Sequence, residues 1–401
     1  MNQAVQLPLE GVTVVAIEQA VAAPFCTRQL ADLGARVIKI ERPGPGDFAR
    51  DYDQVAEGQS SHFVWLNRSK ESVALDLKSE AGRTALGRLI ETADVFVQNL
   101  APGAAERLGV DAATLRAERP ELIHVSISGY GPGGPYSAKR AYDLLVQCEA
   151  GLLSVTGTPQ EMVKAGFSAA DVAAGMYAYS NVLAAIIRRD RQGVGASIEV
   201  SMLEALVEWM GFPMYFAHYS GAAPARTGAE HPAIAPYGPF RAGDGARVFL
   251  GIQNDREWVR FAADVLRRPE LGTDPRFATN LARVGNKPAL KVEIEGVFAR
   301  LDADEIIERL EAAGIANARL RTMDEVVSHP QLQARDRWRE VGSPGGPLIA
   351  LRPPAGLDGP EAPMADIPAV GQHTDAILAE LGLDPAADPL GVPPGVHDAR
   401  E

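Results

Sequence analysis

Short runs of β-branched and aliphatic residues alternate with helix-forming stretches through the first half of the chain. Val12–Ile17, Val37–Ile40, Val73–Leu77, Val95–Val97 and Leu122–Ile127 read as strands. Pro24–Leu33, closed by Gly34, and then Gly82–Thr92 and Ala112–Glu118 read as the helices between them. Strands spaced this way by helices can pair only through crossovers, which predicts a parallel, doubly wound α/β sheet. After the loop Gly129–Pro135 come a helix over Tyr142–Leu153, a long apolar helix, a strand at Ile198–Val200 and a helix over Met202–Tyr215.

Beyond a Gly/Ala/Pro-rich segment, Gly221–Pro239, lies a smaller α+β region. Val248–Ile252 reads as its strand, and Glu257–Leu266, Pro288–Ala299 and Ala303–Ala313 as its helices. Ser343–Pro368 is rich in Pro and Gly, and a last helix follows over Ala376–Leu381. The final twenty residues read as a mobile tail.

Composition narrows the function. The chain has 401 residues and a net charge of −13, a poor balance for nucleic-acid or anionic-membrane binding. An anionic ligand would need basic residues gathered locally. Two cysteines, Cys26 and Cys148, make neither a disulfide framework nor a zinc site. The N-terminus lacks the basic and apolar regions of a signal peptide, and Ala169–Ile187 carries Asp171, Ser180 and Asn181 among small residues. That stretch reads as a buried helix, and the protein as cytoplasmic.

Familiar motifs fail one by one. Gly129-x-Gly131-x-x-Gly134 matches a dinucleotide fingerprint as text, but Pro132 and Pro135 stand where the helix should begin. Val125-Ser-Ile-Ser-Gly129 lacks the first glycine of a nucleophile elbow, and the seven histidines show no ligand spacing. Carboxylates remain. Asp171, at the first turn of a very apolar helix, reads either as an N-cap or as a carboxylate kept in a dry pocket as a nucleophile. Asp143 reads the same two ways.

Several ordered blocks resemble the family III CoA-transferases (the CaiB/BaiF or formyl-CoA transferase-like family). They include Leu33-Gly-Ala-Arg-Val-Ile-Lys-Ile-Glu-Arg-Pro-Gly-Pro-Gly-Asp47, Leu66-Asn-Arg-Ser-Lys-Glu-Ser-Val-Ala-Leu-Asp-Leu-Lys78, Ser128-Gly-Tyr-Gly-Pro-Gly-Gly-Pro135 and Gly371-Gln-His-Thr-Asp375. The resemblance runs over residues 7–383. It implies a Rossmann-like large domain built from both chain ends, a smaller α+β domain, and ring-like subunits interlocked as a homodimer. The large domain would take residues 1–205 and 346–401, the small domain 228–323, and the linkers 206–227 and 324–345. The mobile-tail reading then shrinks to the last few residues.

The resemblance also implies roles. Asp171 would be the catalytic nucleophile, forming acyl-aspartyl anhydride and aspartyl-CoA thioester intermediates. Arg42 would meet the adenine of CoA, and Lys78, Arg107 and Arg140 its phosphates. Leu75, Asn99 and Leu100 would line the nucleotide pocket, and Gln19 and Ala20 would begin the loop over the thioester. CoA esters are substrates here, with no prosthetic group and no metal. Arg226–Phe240 is similar to transferases that take CoA from succinyl-CoA to itaconate, malate or citramalate, with Arg226, His231 and Tyr237 offered to the acceptor. That flap is not glycine-rich, unlike the oxalate-using enzymes of the family. Related α-methylacyl-CoA racemases would have a histidine base where this chain has Tyr142. Transfer to oxalate, carnitine or benzylsuccinate, and a CoA-binding regulator without catalysis, are the other readings.

Overall fold

The computed structural model describes residues 5–354 and 356–383. Two compact units divide the chain. The first takes Met1–Leu152, Ala165–Gly211 and Ala334–Glu401, and the second Leu153–Lys164 and Phe212–Gln333. The second unit thus includes a short piece, Leu153–Lys164, from within the stretch 1–205.

The first unit is built on six strands: β1 (Thr13–Ile17), β2 (Arg36–Glu41), β3 (Lys70–Ala74), β4 (Val95–Gln98), β5 (Ile123–Ser128) and β6 (Ser197–Ser201). They lie in the order β3-β2-β1-β4-β5-β6, and every pairing is parallel. The chain moves outward from β1 in one direction, then returns to add β4 on its other side. That reversal opens a crevice at the carboxyl ends of β1 and β4, where doubly wound sheets bind ligands.

Successive residues of a strand face opposite sides, so each strand feeds two cores. Val14, Ala16, Val37, Val95 and Val97 pack against the helices Ala22–Asp32 and Ala169–Gln192. Val15, Ile17, Ile38, Ile40 and Phe96 pack against Leu86, Leu89 and Ile377 on the other face.

The long helix Ala169–Gln192 meets the length and hydropathy of a membrane span. Its small residues explain the apolarity otherwise. Ala170, Ala173, Ala174 and Ala178 are fully buried against the first core. A Cβ on Gly175 would come within 2.6 Å of the Ala22 carbonyl oxygen, so glycine is required where the two helices touch.

The chain end closes the edge of the sheet. The backbone N–H groups of Ser72 and Ala74 on edge strand β3 donate to His373 Nδ1 (3.1 Å) and Thr374 Oγ1 (2.9 Å). An edge strand with open donors invites unwanted pairing, and Gly371–Asp375 covers it. An antiparallel pair, β10 (Trp338–Val341) with β11 (Leu348–Leu351), belongs to the same unit. β10 falls in the stretch read as a linker, and β11 in the Pro- and Gly-rich stretch read as part of the large domain. Most of the expected tail lies outside the described residues.

The second unit has an antiparallel sheet of β7 (Tyr237–Arg241), β8 (Arg247–Gly251) and β9 (Ala316–Arg319). Trp258, Phe261, Phe277 and Phe298 fill its core. The expected helix over Met202–Tyr215 is two helices, Met202–Trp209 and Gly211–Ser220. Gly211 and Pro213 interrupt it, the first by its weak helix propensity and the second by its missing N–H.

Candidate active site

The residues singled out in the first unit follow the strand ends. Gln19 and Ala20 leave β1, Arg42 leaves β2, Leu75 and Lys78 leave β3, and Asn99, Leu100 and Arg107 leave β4. Arg140 lies in the connection out of β5. Because the strands are parallel, these segments share one edge of the sheet. The helix Ala169–Gln192 feeds β6, so its first turn, with Asp171, begins at that same edge.

Asp171 does not cap its own helix. The first N–H groups of a helix lie too early for an intrahelical acceptor, and the regular i→i−4 ladder here starts only at Val172 N. Ala169 N donates to Phe167 O (2.9 Å) and Val172 N to Ser168 O (2.9 Å). Ala170 N and Asp171 N both donate to Asp143 Oδ1, at 2.8 and 3.2 Å. Asp143 is itself held by Gln147, whose Nε2 donates to Asp143 Oδ2 at 2.5 Å. The capping reading therefore belongs to Asp143, acting from another helix.

That arrangement leaves the Asp171 carboxylate with no hydrogen bond and no ion pair among the described residues. It is partly exposed, yet surrounded by enough protein that burial, followed by the negative charge of Asp143, pushes its carboxyl up to about 7. An unpartnered carboxylate of raised basicity is a better nucleophile than a solvated one. Tyr52 lies within electrostatic reach of Asp171, Asp47 and Tyr142, and burial first, then these groups, pushes its phenol up to about 12.

The Gln19–Ala20 turn, which leads into the helix Ala22–Asp32 packed on the Asp171 helix, is tightly built. Ala20 has a φ of 60°, a left-handed conformation that costs an L-residue roughly 1–2 kcal/mol. Gln19 N donates to Asn99 Oδ1 (3.0 Å), and Asn99 Nδ2 donates to Gln19 O (2.9 Å). This pair of bonds bridges the ends of β1 and β4 at the reversal of strand order. Asn99 thus spends its amide on the Gln19 backbone rather than offering it to a nucleotide. Leu75 is 1% exposed and its side chain belongs to the core. Leu100 is half-buried against that core.

Four cations remain available. Arg42, Lys78, Arg107 and Arg140 are exposed, and none makes an ion pair among the described residues. Only Arg42 has a side-chain hydrogen bond among them, a long one of 3.4 Å to Gly46 O. Unpaired basic groups on one edge suit an extended polyanion despite the acidic whole.

In the second unit, Arg226 is occupied. Its guanidinium donates to Ser154 O (3.3 Å), Thr158 O (2.8 Å) and Pro159 O (3.1 Å), so it braces Leu153–Lys164. His231 stacks on Tyr237 with centroids 5.2 Å apart. Its Nδ1 accepts from Ala233 N at 3.2 Å, which leaves Nε2 for other work.

A buried ionic cluster beneath the turn escaped sequence reasoning. Lys39 Nζ contacts Asp47 Oδ2 (2.8 Å) and Glu18 Oε1 (3.5 Å), and Lys70 Nζ contacts Glu18 Oε1 (2.7 Å). Arg50 pairs with Glu41 through Nη2–Oε2 at 2.7 Å. Burial opposes the Glu18 charge, but the two lysines outweigh it and hold the carboxyl below its usual range. Burial brings Lys70 down to about 8. The signal was present: Lys39 sits in Val37-Ile-Lys-Ile40, a strand buried on both faces, where a lysine must find a counter-ion. A cleft of about 550 Å³ lies at the opposite edge of the sheet, beside Arg36, Lys70 and His373. Those three groups are bonded within the chain, and nothing there suggests chemistry.

A carboxylate without internal partners among the described residues, at the carboxyl-end edge of a doubly wound sheet and on the same edge as free cations, fits transfer of an acyl group from an anionic carrier. The chain belongs to CoA-transferase family III, whose sequence pattern matches residues 9–374. It is 35% identical to an acetyl-CoA:oxalate CoA-transferase of Acetobacter aceti, over 85% of this chain and 88% of that one. It is 32% identical to a succinate–glutarate CoA-transferase of Agrobacterium fabrum, over 93% and 96% of the two chains. A CaiB/BaiF family protein of Brucella suis has a similar solved structure, with a TM-score of 0.85, 32% identity, and 94% and 100% of the two chains covered. The protein is thus an enzyme that acts on CoA thioesters.

Proposed function

We propose that this enzyme moves CoA from succinyl-CoA to a small dicarboxylate, with itaconate, malate and citramalate as the candidate acceptors, and that Asp171 carries the transfer covalently. The observation that carries the reading is the Asp171 carboxylate itself, raised to about 7 and without a partner inside the chain.

In the first step an Asp171 oxygen attacks the thioester carbonyl of the donor. The C–S bond breaks, leaving a mixed acyl-aspartyl anhydride and CoA thiolate. The thiolate attacks the aspartyl carbonyl, releases the donor carboxylate, and forms an aspartyl-CoA thioester. The acceptor carboxylate then attacks that thioester and frees the thiolate again. Attack of the thiolate on the acceptor's acyl carbon gives the new CoA ester and regenerates Asp171. Two exchanges at one residue replace a direct swap between poor partners. Anhydrides hydrolyse readily, so the small apolar residues around Asp171 serve by limiting water.

Arg42, Lys78, Arg107 and Arg140 would hold the adenosine and phosphate parts of CoA. With Arg226 engaged by backbone carbonyls, His231 and Tyr237 are the better candidates for the acceptor's second carboxylate. The subunit would work as an interlocked homodimer in the cytoplasm. The test mixes purified protein with succinyl-CoA and, separately, itaconate, malate, citramalate, glutarate and oxalate, and reads new CoA esters by mass spectrometry. An ester of itaconate, malate or citramalate supports the reading. An ester of oxalate alone would replace it with the activity named for the Acetobacter aceti relative. No ester at all would send the question to proton exchange at Cα of a 2-methylacyl-CoA, the racemase reaction.

A further inference from the structure

We propose that Asp47 is a positioning residue for acyl transfer: anchored by buried Lys39, its carboxylate holds the Gln19–Ala20 turn in its working conformation beside the Asp171 helix. The inference rests on the reading of Asp171 as the nucleophile.

Asp47 is 2% exposed and Lys39 is fully buried. One carboxylate oxygen, Oδ1, accepts from Ala20 N (3.1 Å) and Ala49 N (2.9 Å). The other, Oδ2, takes the Lys39 ammonium at 2.8 Å. Lys39 also donates to Glu18 O (3.2 Å), and Lys70 donates to Pro24 O (3.1 Å). With Asn99 on Gln19 N and O, the backbone from Glu18 O to Ala20 N is tied throughout to side chains that do not react. The Gln19 carboxamide, by contrast, has no partner among the described residues. A left-handed alanine persists only where its surroundings over-determine it, and here they do.

The turn is coupled to the nucleophile through contact. Ala22 O lies 2.6 Å from where a Gly175 Cβ would stand, and Gly175 is one helical turn from Asp171. Tyr52, beside the short helix Phe48–Asp51 that Asp47 caps, senses the charges of both Asp47 and Asp171. A shift of the turn is therefore passed to the helix that carries the reacting carboxylate, and misplacement by about 1 Å can cost about 100-fold in rate.

Asp47→Asn is the informative change. An amide can turn its oxygen to Lys39 or to the two N–H groups, but not to both. The experiment measures kcat, KM for the acyl-CoA and Tm for wild type, Asp47→Asn, Asp47→Asn with Ala20→Gly, and Asp171→Ala. Asp47→Asn is expected to lower kcat about 100-fold, with a smaller change in KM. Glycine reaches left-handed backbone without an anchor, so the double variant should regain about tenfold. A merely structural role would lower Tm without that rescue. Unchanged kcat in Asp47→Asn, or a loss that glycine does not recover, overturns the proposal. If Asp47→Asn fails to fold, Asp47→Glu keeps the charge and moves the acceptor oxygen, and unchanged kcat there overturns it equally. An inactive Asp171→Ala beside a fully active Asp47→Asn would sink this inference alone. Turnover by Asp171→Ala would remove the reading beneath it.

Discussion

Asp171 stands where its own ionisation is opposed. Burial first, and Asp143 second, raise its carboxyl from 3.8 to about 7. As the proposed nucleophile Asp171 would act ionised, so kcat/KM should rise with pH and level off above about 7; a flat profile from pH 5 to 9 would count against the assignment. The same shift has a sign for stability. A group whose folded value is raised favours the folded state at low pH, and that contribution is lost as pH rises from about 4 through about 7. Above about pH 7 the ionised Asp171 carboxylate therefore costs stability, on the order of a few kcal/mol. Asp171→Asn should abolish transfer yet raise Tm at pH 8, and lose that advantage at pH 4. Asp143 offers a second check. Asp143→Asn keeps an acceptor for Ala170 N and Asp171 N but removes the neighbouring charge, so the acid limb should move to lower pH. Asp143→Ala should in addition destabilise the protein by about 1 kcal/mol, the usual cost of a lost cap. An acid limb that stays in place in both variants would show that Asp143 does not set the basicity of Asp171. From sequence, Asp171 could be singled out because a charge in so apolar a helix is anomalous. Asp143 could not be recognised as its cap, because that bond joins two helices far apart in the chain.

At the scale of elements, the central strands were legible and the peripheral ones were not. β1 and β4 are buried, mostly apolar runs, and β2 and β5 keep Val37, Ile38, Ile40 and Ile123, Val125, Ile127 among polar residues, enough β-branched pattern to mark them. β3 was expected over Val73–Leu77 and lies at Lys70–Ala74. Its first residues are Lys70 and Glu71, and their polarity hid the pairing with β2. β7, β9, β10 and β11 are short strands, several of their residues exposed, and carry little pattern to read. The ionic cluster was hidden for a related reason. Charged residues in a sequence default to the surface, and only knowledge that β2 is internal turns Lys39 inward. The contact of Ala22–Asp32 with Ala169–Gln192 yields its own prediction. Gly175→Leu would force a side chain against Ala22 O and Phe25, so the unfolding free energy should fall by the ~1–3 kcal/mol typical of overpacking or more, and the urea midpoint with it. An unchanged midpoint would mean that the helices do not pack as closely as described.

Over the whole molecule, a chain of net charge −13 leaves Arg42, Lys78, Arg107 and Arg140 without ion pairs among the described residues on one edge, where we propose the CoA polyanion binds. Arg42→Ala should raise KM for CoA esters while leaving kcat near wild type, and KM should climb with salt as screening weakens these contacts. An unchanged KM would remove Arg42 from the CoA site. In the proposed mechanism Asp171 becomes covalently loaded during turnover. The most direct test is to incubate the enzyme with succinyl-CoA, quench rapidly in acid, digest, and map adducts by mass spectrometry. A CoA thioester is expected on the peptide that contains Asp171, discharged when acceptor carboxylate is added before the quench. Steady turnover with no adduct, or an adduct on any other residue, would contradict it.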